Sequence, residues 1–74
     1  MYKKFTENDT YYQILRDFNR FVQRNYEPQT EKEWEAVTKD AGETFVKYRN
    51  TRFYQFALDL LDAHFNDCLR RAQK

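Results

Sequence analysis

Residues 53–69, FYQFALDLLDAHFNDCL, carry apolar side chains at steps of three and four, the spacing of one face of an α-helix. At about 100° per residue, Phe53, Phe56, Ala57, Leu60 and Leu61 share one broad face with His64 and Cys68. Tyr54, Leu58, Phe65 and Leu69 continue the apolar surface round the side, so the arc reaches about 200°, twice the stripe of an ordinary surface helix. Gln55, Asp59, Asp62, Asn66 and Arg70 are left as the polar face. Two arrangements accommodate so wide an arc. The helix is either wedged between two others, or its second flank is covered by another molecule. The steps of 4, 7 and 4 between Tyr54, Leu58, Phe65 and Leu69 suit a ridge laid on a partner.

The rest of the chain reads as helix as well. Tyr11, Ile14, Leu15, Phe18, Phe21 and Val22 form one stripe, with Gln13, Arg16, Arg20, Gln23 and Arg24 opposite. Oxygens of Thr6, Asn8 and Asp9 are available to cap its start, and Pro28 is expected to end it. Thr30-Glu31-Lys32-Glu33 reads as a capping box, and its glutamates suit the positive end of a helix dipole. Trp34, Val37, Ala41, Phe45 and Tyr48 follow on a narrow seam. Gly42 lies at the edge of that seam, where a kink or an end is possible, but the phase resumes at Phe45, which favours one helix. Asn50 or Thr51 can cap the third helix, whose end carries Arg70, Arg71 and Lys74. Short connections make consecutive helices antiparallel neighbours. The expected fold is all-α, a three-helix up-down-up antiparallel bundle over approximately residues 9–26, 31–49 and 52–72, with a short N-terminal arm at 1–5.

Seventy-four residues make one small domain with a limited core. Seven Phe, six Tyr and one Trp supply bulk for it. Oligomerisation is a standard remedy for a small core, and a homodimer is its commonest form. Cys68 is alone, so no internal disulfide can form, which fits a reducing compartment. MYKKFTENDT has no apolar run behind its lysines, and no stretch approaches the length of a membrane span. A cytoplasmic protein without a membrane segment is expected.

Catalysis is not expected. There is no serine, and the one histidine and one cysteine are four residues apart. His64 and Cys68 could place two ligands on a metal, but zinc needs three or four and no further His or Cys exists. Cys68 sits among Leu61, Phe65 and Leu69, so an activated thiolate is not expected. Asp59 and Asp62 read as a solvated helix face. No metal and no cofactor is expected. Trp34 reads as an anchor that closes one end of the bundle.

Arg16, Arg20 and Arg24 form a ladder of fours on the outer face of the first helix. Such a ladder can meet an acidic protein surface or track phosphates, and Tyr12 near its edge could stack on a base. The balance of 13 basic against 12 acidic residues, with Asp17 and Glu27 interrupting the ladder, favours protein over nucleic acid.

YYQILRDFNRFV, EKEWEAV and VKYRNTRFYQFALDLL together resemble small helical proteins carried by phages, prophages and other mobile elements of Firmicutes-type bacteria. The resemblance transfers no activity and no site residue. It implies a mobile-element accessory protein, of the kind that binds and inhibits a host complex such as a defence system. The sequence therefore reads as a non-catalytic protein-interaction module. Its partner is a second copy, a larger host protein complex, or both. The candidate surfaces are Tyr54, Leu58, Phe65 and Leu69 and, second, Arg16, Arg20 and Arg24. A nucleic-acid-binding module using the arginine ladder is the alternative.

Overall fold

A computed structural model describes residues 1–73. It contains three helices, α1 (Thr10–Arg24), α2 (Glu31–Phe45) and α3 (Tyr54–Ala72), and α2 tightens into a 3-10 turn at Val46–Tyr48. The architecture is all-α, the small bundle that the periodicity implies. Lys74, placed by its sequence at the end of α3, lies outside the described residues. No helix among the described residues is long and apolar enough to cross a membrane.

Local chemistry sets most helix ends, though not always through the expected residue. Thr30 and Glu33 do form the capping box: the Glu33 amide donates to Thr30 Oγ1 (3.1 Å) and Glu33 Oε1 accepts from the Thr30 amide (3.1 Å). Asp9 is the N-cap of α1, yet its carboxylate turns back to accept from the Thr6 amide at 2.8 Å and leaves the first turn of α1 without a side-chain cap. Pro28 does not end α1. The helix stops at Arg24, where Asn25 leaves helical geometry and its side-chain Nδ2 donates back to the Phe21 carbonyl at 3.0 Å. That closes the last turn before the proline can act. Gly42 neither kinks nor ends α2, since the packing of Val37, Ala41 and Phe45 on either side outweighs its intrinsic cost. Neither Asn50 nor Thr51 caps α3. Phe53 is its N-cap, and Thr51 Oγ1 donates instead to the Tyr48 carbonyl at 2.8 Å.

The core is Ile14, Phe21, Val37, Ala41, Phe45, Tyr48, Ala57 and Leu61. Phe21 is its centre: it is fully buried and meets Phe45 of α2 and both His64 and Phe65 of α3 edge-on. The more extensive helix–helix approaches are α1 to α2 and α1 to α3. The helix in the middle is therefore α1, not α3 as a wedged third helix would require. The molecule measures 39 × 25 × 18 Å with a radius of gyration of 13.4 Å.

Candidate functional site

With α1 in the middle, the second flank of α3 is only partly covered, and Phe65 on it still meets Phe21 of α1 edge-on. Leu61, Ala57, His64 and Cys68 are buried towards α1. Tyr54, Leu58 and Phe65 are only half-buried against the core, and Leu69 is 49% exposed. Trp34 of α2 is also half-buried and packs its ring 6.5 Å from that of Phe65. From Trp34, steps of four along α2 lead to Thr38, Gly42 and Val46, on the side away from the Asp40 and Thr44 groups that face α1. Thr38 and Gly42 are exposed, Val46 is 56% exposed, and no atom lies within 4 Å of the place a Gly42 Cβ would occupy. Trp34 and Phe65 thus join the second flank of α3 to α2.

The arginine ladder does not stay together. Arg24 is drawn into a bidentate pair with Asp40 (Nε at 3.0 Å, Nη2 at 3.1 Å) and also donates to Thr44 at 3.2 Å. Burial alone would raise the Asp40 carboxyl, but Arg24, Asn25 and Thr44 outweigh it and hold it below the usual range. Arg16 lies 3.3 Å from Asp17. Of the three, Arg20 alone has no ion-pair partner among the described residues.

Asp17 is the largest departure from the sequence reading. On the helical wheel it interrupts the arginine field; in the fold it is buried. Tyr48 Oη donates to its Oδ2, and Lys47 Nζ reaches the same oxygen at 2.9 Å. Burial pushes the carboxyl up, but Tyr48, Lys47 and Arg16 together bring it below its ordinary value. Burial and the facing carboxylate push the Tyr48 phenol up. This cluster ties the 3-10 turn to α1.

His64 and Cys68 serve as caps. The Asn25 carbonyl can only accept, so His64 donates to it through Nε2–H at 2.8 Å. The Cys68 thiol donates to the Tyr26 carbonyl (3.5 Å), and Arg71 Nη2 reaches the same oxygen at 2.7 Å. Three side chains of α3, at steps of four and three, thus satisfy the carbonyls left free where α1 ends. With its proton on Nε2, the imidazole offers no base to the thiol there, and Nδ1 is 3.9 Å away. Burial raises the Cys68 thiol despite Arg71 beside it. The pair is arranged for structure rather than nucleophilic attack. Among the described residues no three His, Cys, Asp or Glu side chains converge as metal ligands. Asp59 is exposed and accepts from Gln55 at 2.9 Å, and Asp62 is exposed.

One feature of the surface escapes sequence reasoning. The N-terminal arm brings Phe5 against Tyr11, beside Phe53 and Phe56. The only hint is a repeated cation–aromatic pair, Lys4-Phe5 and Arg52-Phe53, too far apart in the chain to suggest a common place. Compared with protein families, curated proteins and solved structures, the chain matches none.

Proposed function

We propose that this protein works by binding protein through the second flank of α3, and that the occupant of this flank is a second copy of the chain. The observation that carries the reading is the amount of surface left uncovered. The chain exposes 5879 Å², whereas a folded monomer of 9.2 kDa is expected to expose about 4,900 Å². The exposed arm at residues 1–8 accounts for part of that difference, and the incompletely covered flank of α3 contributes to the rest. The radius of gyration points the same way: it is 13.4 Å, against about 11 Å for a compact domain of this length. The exposed apolar groups on the face, Leu69 and Val46, lie where closure onto another copy would remove them from water.

A larger host complex, the partner class implied by the likeness to mobile-element proteins, would use the same face. The arginine ladder supports neither reading well, because Arg16 and Arg24 are engaged within the chain. Light scattering over a concentration series is the test. The wild type is expected at twice the chain mass. Leu69→Glu, at a half-exposed site where stability changes little, is expected at the monomer mass. A wild type that stays monomeric at high concentration removes self-association, and a dimer untouched by both Leu69→Glu and Leu58→Glu removes this face.

A further inference from the structure

The end of the bundle where the arm meets the α2–α3 turn shares no residue with the α3 flank. Tyr11 stacks on Phe5 (centroids 5.5 Å, planes 10° apart) and on Phe56 (4.4 Å, 6°), and meets Phe53 edge-on at 5.4 Å. Phe5, Tyr11, Phe53 and Lys3 line an open cleft of about 320 Å³. Two cations lie on ring faces at its mouth. Lys3 Nζ is 5.6 Å from the Phe5 centroid, and the Arg52 guanidinium is 4.8 Å from that of Phe53. Lys4 and Arg49 are exposed on the neighbouring arm and turn. The carboxylates of the arm are Glu7 and Asp9, and Asp9 is shared between Lys3 (3.9 Å) and the Thr6 amide.

We propose that this cleft takes one nucleotide of a single-stranded nucleic acid, with the base stacked on the outer face of Phe5, the edge of Phe53 beside it, and the flanking phosphates on Lys3 and Arg52. A cation resting on an exposed ring is weakly held and keeps its charge. A base can replace it on the ring, and the long side chain then swings to the phosphate beside that base. The exchange keeps a stacked group on Phe5 and sets Lys3 against a phosphate, while Arg52, which has no ion-pair partner among the described residues, meets the other. Every base has a π-face, so recognition is sequence-tolerant. An acidic peptide would supply the anions, but it leaves the flat aromatic lining without a planar partner.

The test is fluorescence anisotropy of the full chain with a short labelled oligothymidylate at low salt. Binding is expected, and two phosphate contacts predict a loss of affinity of about sevenfold for a fourfold rise in salt. Phe5→Ala is expected to weaken binding at least about fivefold, and Phe5→Trp to restore it. Phe5 lies on the arm outside the core, so both variants fold, which circular dichroism checks. Arg52→Ala is expected to weaken binding and flatten the salt dependence, while Arg20→Ala on the far face changes neither. Absence of binding at low salt overturns the proposal, and so does binding indifferent to Phe5→Ala and Arg52→Ala. Thymidine monophosphate binding as tightly as the oligomer overturns the strand as the ligand. A poly-glutamate peptide binding more tightly than the oligomer assigns the cleft to protein instead.

Discussion

α1 is joined to its two neighbours by different chemistry. Towards α2 and the turn that follows it, the contacts around the core are ionic: Asp17 with Tyr48 and Lys47, and Asp40 with Arg24 and Asn25. Towards α3 they are aromatic, Tyr11 on Phe53 and Phe56 and Phe18 and Phe21 on His64, closed off by hydrogen bonds from His64, Cys68 and Arg71 to the carbonyls of Asn25 and Tyr26. Aromatic burial stabilises in proportion to area and specifies register loosely, whereas a buried carboxylate tolerates few arrangements. The ionic side therefore sets how the last turn of α2 meets α1. The aromatic side supplies bulk and leaves part of α3 uncovered.

Phe21 is shared by both sides, and its loss tests whether they form one cooperative unit. Phe21→Ala is expected to cost about 3–5 kcal/mol. That is comparable to the roughly 4–11 kcal/mol total stability of a domain this size. Thermal melting followed by circular dichroism should lose its sigmoidal shape. A clean transition near the wild-type temperature would mean that the two sides hold independently.

Tyr48→Phe probes the ionic side alone. It removes the hydroxyl from Asp17 while leaving the ring in the core, and is expected to cost about 1–3 kcal/mol by urea unfolding at pH 7. Acid isolates the same side. Asp17 and Asp40 sit below their ordinary value of 3.8 in the folded chain. The unfolded state therefore takes up protons first, and their contribution is complete above that value. It is lost as the pH falls through the lower folded values. Urea midpoints should hold steady from pH 7 to about 5 and fall below that. Tyr48→Phe should lose less than the wild type over the acid range. Equal losses would show that Tyr48 does not hold the Asp17 carboxyl down.

The smallest effect is a gain. Gly42 is inside α2 without positive φ, and a Cβ there meets nothing. Gly42→Ala is expected to stabilise the chain by about 0.5–1 kcal/mol. The methyl would point to the side of α2 that carries Trp34. A more stable chain that no longer dimerises would place Gly42 at the contact.

Periodicity and caps made much of the fold legible. The Thr30 capping box, the Phe18–Phe21 stripe and the long arc of α3 each rest on neighbours within one or two turns, which sequence spacing describes directly. Asp17 was not legible, because its partner Tyr48 is 31 residues away and nothing local distinguishes a buried carboxylate from a solvated one. The end of α1 was misplaced for a related reason. Pro28 is the conspicuous breaker, but Asn25 had already closed the helix by bonding back to Phe21.

The amino-acid sequence by itself determined that this chain is three helices, which residues of each are apolar, and that α3 carries more apolar surface than one stripe. Tertiary structure alone decided that α1 lies in the middle, that Asp17 is buried, that the arginine ladder is divided between Asp17 and Asp40, and that the arm meets Phe53. Helix formation depends on contacts three and four residues apart, whereas the choice of central helix depends on how three stripes of unequal width close on each other.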